Sequence, residues 1–211
     1  MSDKTRTLVA TAILCGITVI MSLPFVGTLI LPVVAGTLAF IPAMVAAMML
    51  GFWPGVTVAF VAGAASMIRG FFMPGLLAPY FVNPLVSIFP RVMIAVMAWL
   101  VFNALMKTGL PKAVKPPVSA AFAAAVGSLT NTALVLGSIY LYHASSVFNY
   151  GQTFAFIAPP LPAVDHASLE AGVTAFLMGI VASNGLVEVA ANVVLVTALV
   201  VGLRRAKFAK F

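Results

Sequence analysis

Two arginines and one glutamate lie inside the most apolar stretches of this 211-residue chain. Arg69, Arg91 and Glu188 are costly in hydrocarbon, where an ionisable group faces a bundle interior or a water-filled cavity. Arg91 follows Pro90 and precedes Val92, Met93 and Ile94, so its guanidinium needs a carboxylate, a carbonyl or a ligand as partner. Two readings stand side by side: a structural ion pair with Glu188, or capture of an anionic ligand. Arg69 has a simpler alternative, which is to snorkel from the outer end of its helix to the interface. Three amides join the set. Asn83, Asn131 and Asn184 interrupt apolar sequence in FVNPL, SLTNTAL and ASNGLVE. Such groups either bond helix to helix or share a pocket with Arg91 that opens to the outside.

Other chemistries lack their residues. The chain has no P-loop, no His-Glu-x-x-His pair and no Gly-x-Ser-x-Gly elbow. His143, His166, Asp165 and Glu170 are too few and too loosely spaced for a metal site. Only Glu188 is an acid within a span, so no resident metal, no cofactor and no catalysis are expected. Cys15 is the single cysteine and has no intrachain disulfide partner.

The elements that must position these residues follow from composition. Apolar residues make up 63% and charged residues 7%, against about 25% charged in soluble domains. A water-soluble surface cannot be built from so few charges. The apolar runs are continuous rather than alternating, which points to helices and away from a barrel. The fold expected is an all-α membrane protein, a single domain of six transmembrane helices over 8–25, 29–50, 54–68, 86–106, 118–142 and 171–203. The third run is short for a crossing and the last is long enough to tilt. Lys4 and Arg6 before the first run mimic a signal peptide, but no small-x-small site with a polar mature domain follows, so that run reads as a retained helix.

Nine of the 11 basic residues fall in three clusters: Lys4 and Arg6; Lys107, Lys112 and Lys115; Arg204, Arg205, Lys207 and Lys210. Each flanks an apolar run, the pattern that holds loops and both termini in the cytoplasm. The net charge of +7 is thereby explained without a nucleic-acid partner. Outside lie the turn at 24–28 and two unusual segments. RGFFMPGLLAPYFVNPL is too rich in Pro, Gly and aromatics for a regular helix and too apolar for a solvated loop. HASSVFNYGQTFAFIAPPLPAVDHASLE is longer than most connections. Both are expected to fold over the bundle as re-entrant or lid-like loops. Ala12 and Gly16, like Ala35, Ala39 and Ala43, make small-residue faces that permit close helix approach, within the chain or with a partner.

NPLVSIFPRVMIAV (83–96), GSLTNTALVLGSIYL (127–141) and SNGLVEVAANVV (183–194) resemble, in that order, signatures of the substrate-binding S components of energy-coupling factor (ECF) vitamin transporters. The motifs look closest to the pantothenate branch. The resemblance implies a chain in the bacterial cell membrane that captures a vitamin from outside. It implies a transmembrane coupling (T) protein and two cytoplasmic ATPases as partners, which use the ATP, and no ATPase activity here. It also implies that Ala12 and Gly16 match a first-helix contact with the coupling protein, Gly standing for the family's second Ala. Two arginines against one acid suit an anionic ligand such as pantothenate, whose hydroxyls and amide the asparagines could read. On this reading Arg91 binds the carboxylate, Asn83, Asn131 and Asn184 hydrogen-bond the middle, and Glu188 orients Arg91 or Asn184. An S component for cobalamin or another vitamin, a stand-alone ion-driven transporter and a ligand-free membrane scaffold are the alternatives.

Overall fold

The computed structural model describes residues 3–23, 28–29, 36–72, 81–109, 111–144, 175, 178–179 and 185–206. Among them six helices follow in chain order: α1 (Asp3–Met21), α2 (Ile41–Met49), α3 (Phe52–Phe72), α4 (Pro84–Met106), α5 (Lys115–Ala144) and α6 (Leu186–Arg205). Between α1 and α2, β1 (Thr28–Leu29) and β2 (Gly36–Thr37) form an antiparallel ladder, with Thr28 opposite Thr37 and Leu29 opposite Gly36. Prolines stand in the first turn of four helices: Pro42 in α2, Pro54 in α3, Pro84 in α4, and Pro116 with Pro117 in α5. There the missing N–H is one the helix would leave unpaired, and the ring presets φ.

Five of the helices, all but α2, are long and apolar enough to cross a bilayer. The expectation of a helix over 29–50 is corrected. The run contains the β1–β2 ladder and a helix of only 9 residues, about 14 Å long against a hydrocarbon core of about 30 Å. Apolarity alone does not distinguish a lipid-facing crossing from a buried interior helix, and α2 is the latter: all nine of its residues are buried. The third run is corrected the other way. It extends to 21 residues as α3, a full crossing, because Phe52 and Trp53 before it and Phe71 and Phe72 after it continue the helix. The lid-like segments fall largely on residues 73–80 and 145–174, outside the described residues.

The core forms around α2. Phe40, Ile41, Met44, Val45, Met48 and Met49 pack with Ile94, Ala98 and Phe102 of α4, Ala120, Ala123 and Ala124 of α5, and Val196 and Val200 of α6. A second cluster joins Ala43, Ala46 and Ala47 of α2 to Val58 and Ala59 of α3 and Ala95 of α4, with Leu14 and Cys15 of α1 against it. Ala43 is thus spent inside the chain. Gly51, at φ +109°, makes the turn that sends α3 back along α2, a backbone region costly for residues with a Cβ. Close packing between α3 and α4 rests on Gly63, where a Cβ would lie 2.7 Å from the Ile88 Cα.

Helix directions sort the two ends of the bundle. The Arg204 guanidinium lies over the Phe102 ring, 5.4 Å from its centroid, so the C-terminal ends of α4 and α6 lie together. Lys115 Nζ donates to the Met106 carbonyl at 3.4 Å, bringing the start of α5 to the same end. Lys107, Lys112, Lys115, Arg204 and Arg205 therefore share one end of the bundle, and the first turns of α4 and α6 face the other.

Candidate functional site

Along α4 the buried polar residues recur every four positions: Asn83, Ser87 and Arg91. Beyond them the same face turns apolar with Ile94, Ala95, Ala98 and Phe102. The helix interior is thus polar for two turns at the end away from the basic clusters and greasy below. Arg91 is only 5% exposed, so its charge must be satisfied within the protein.

The dipeptide Pro90-Arg91 supplies part of the answer. Proline has no N–H to give the carbonyl four residues earlier, and for Pro90 that carbonyl belongs to Val86. Arg91 Nη1 donates to the Val86 oxygen at 3.2 Å. The guanidinium face also stacks on Phe81, 5.0 Å from the ring centroid, a contact worth about 0.5–2 kcal/mol. Among the described residues one of its five N–H groups is so engaged, and the fork keeps capacity for a further partner.

Among the described residues Glu188 attracts Arg91 and Arg69 repels it. Glu188 stands in the first turn of α6 and Arg69 in the last turn of α3, each favourably placed against its helix dipole. No direct ion pair joins Arg91 to Glu188 among the described residues. The structural ion-pair reading is therefore not met as a contact, and the three groups form a loose cluster with an excess of one positive charge.

Helix register sets the amides relative to this cluster. Gly127 packs on Ile94, a Cβ there lying 3.4 Å from Ile94 Cγ2. One turn further along antiparallel α5 and one turn back along α4 are Asn131 and Arg91, which therefore share a level. Asn192 Nδ2 donates to Ser128 Oγ at 2.9 Å. One turn back along α6 from Asn192 is Glu188, which this contact sets at the level of Asn131 and Thr132. Arg91, Asn131 and Glu188 thus form one layer, with Ser128 and Asn192 a turn below.

Asn83 does something more local. It is the N-cap of α4, its backbone extended at φ −78° and ψ 125°, and its Oδ1 accepts from the Leu85 N–H at 2.9 Å. Ser87 donates to the Phe81 carbonyl and ties down the same entry turn. Asn184 lies outside the described residues. Ala12 and Gly16 are both exposed on α1, and a Cβ on Gly16 would meet nothing within 4 Å. Sequence reasoning passed over Ser128 and Asn192. The signal was present: Asn192 follows Glu188 by four residues, hence on the same helix face, and Ser128 precedes Asn131 by three.

A family model described as the substrate-specific component of ECF transporters matches residues 6–200, which covers all three motifs and reaches from the first turn of α1 into the last turns of α6. No curated protein matches the chain. The described helices, long and apolar over five segments, are those of a multi-pass membrane protein. The family is one of transporter components, not enzymes, and this chain belongs to it as a substrate-specific (S) component of an ECF transporter.

Proposed function

We propose that this S component captures pantothenate from outside the bacterial cell membrane, for delivery through a coupling protein and two ATPases that supply the ATP. The observation that carries the proposal is the layer of buried Arg91 and Asn131 with half-buried Glu188, which together with Arg69 carries one positive charge in excess. Such a layer favours a small anion with neutral polar groups. Arg91 binds the carboxylate, Asn131 and Asn184 read the polar middle, Asn83 adds its amide N–H groups while capping α4, and Glu188 holds Arg91 in place. The exposed Ala12 and Gly16 face of α1 docks on the coupling protein. A six-crossing topology with cytoplasmic termini fits the basic residues gathered at one end of the bundle.

The test is a thermal-shift screen of the purified chain against pantothenate, cobalamin, riboflavin, folate and thiamine. Selective stabilisation by pantothenate supports the proposal, and selective stabilisation by another vitamin reassigns the substrate. Uptake into vesicles that needs the ATPases and survives an ionophore separates this reading from an ion-driven carrier.

A further inference from the structure

At the charged layer and one turn below it the bundle holds two buried amide oxygens without partners among the described residues. Asn192 is fully buried, with one end of its amide tied to Ser128 and its Oδ1 unpaired among the described residues. Asn131, buried to 8% exposure, likewise has an Oδ1 without a partner among the described residues. Ser128 itself is 1% exposed. An unmade hydrogen bond at a buried polar atom is expensive, and native interiors keep few of them. Two such atoms within one helical turn, on facing helices, one at the level of Arg91 and one a turn beneath it, mark a place where something brings hydrogen-bond donors. Apolar residues Met44 and Ile94 pack around Gly127, beside Ser128; Ser119 and Thr197, whose buried hydroxyls likewise lack partners among the described residues, lie nearer the basic end.

We propose that Asn131 and, one turn deeper, Asn192 form an acceptor subsite that takes the hydroxyl groups of the bound ligand, with Ser128 as the residue that positions Asn192. This deepens the substrate reading above and rests on it. The site is then polarised along the bundle axis. Charge is read at the outer layer by Arg91, and neutral donors are read from Asn131 at that level down to Asn192 about one turn, roughly 5 Å, further in. A ligand of this kind enters with its neutral hydroxylated end first and leaves its carboxylate at Arg91.

The experiment measures binding of two ligands to the purified full chain: pantothenate, and an analogue in which both hydroxyls are O-methylated. Wild type is compared with Asn192→Ala and Ser128→Ala, and with Ser128→Thr, which keeps the hydroxyl. The subsite predicts that Asn192→Ala weakens pantothenate about tenfold and leaves the methylated analogue unchanged. Ser128→Ala follows in the same direction and Ser128→Thr recovers. Equal losses for both ligands, or wild-type affinity for pantothenate in Asn192→Ala, overturn the subsite and leave Asn192 to helix packing or an ordered water. If another vitamin from the screen binds instead, the pantothenate reading falls while the subsite stands or falls on the same variants with that ligand. If none binds wild type, both fall.

Discussion

Arg91 donates through Nη1 to the carbonyl oxygen of Val86 at 3.2 Å, the oxygen that Pro90 leaves without a helical N–H. A residue read for its charge thus also repairs the backbone of its own helix, and the two roles are separable.

Arg91→Ala should lower the thermal stability of the purified chain, because it strips the Val86 carbonyl of its donor and removes the Phe81 contact. Adding Pro90→Ala supplies a backbone N–H for that carbonyl. The double variant should recover part of the lost melting temperature, and no recovery would mean that the carbonyl contact carries little of the loss.

Asn83→Ala should cost about 1 kcal/mol through loss of the α4 cap. Asn83→Asp keeps the accepting oxygen and should restore stability in a denaturation series. Asn83→Ser keeps a capping oxygen without adding charge, and ligand affinity that remains weak in it would isolate the contribution of the amide N–H groups to binding.

Gly63→Ala and Gly16→Leu should behave in opposite ways. The first forces a Cβ against Ile88 backbone and should destabilise the chain by about 1–3 kcal/mol. The second changes an open surface, so stability and ligand binding should hold within about 0.5 kcal/mol, while co-purification with the coupling protein and ATPases is lost. Retained assembly would remove α1 from the docking surface.

Glu188→Gln removes a charge that attracts Arg91 while keeping its shape. Calorimetric titration should show weaker ligand binding with the fold retained. Unchanged folding and unchanged affinity together would take Glu188 out of the site.

Much of this was legible in the residues. The long apolar runs of α4 and α5, the charge asymmetry and the cost of burying Arg91 all follow from side-chain chemistry. The second run misled because a fully buried nine-residue helix and a lipid-facing one are equally apolar. Asn83 was legible as a cap, standing directly before Pro84 at a helix start, but its place among apolar residues drew attention to ligand chemistry. The Asn192–Ser128 contact was hidden because it depends on the rotation of two helices 64 positions apart in sequence, which no local pattern encodes.

The central claim is that Arg91 captures the carboxylate of an incoming vitamin, and saturation binding of radiolabelled pantothenate to the purified chain tests it most directly. Wild type is measured beside the Pro90→Ala single variant and the Pro90→Ala, Arg91→Ala double variant, whose helix keeps its backbone bond. Truncating a buried charged partner costs about 2–5 kcal/mol, so saturable binding by wild type and by Pro90→Ala, with at least tenfold weaker binding by the double variant, is predicted. Equal affinity in all three, or no saturable binding by wild type, would contradict it.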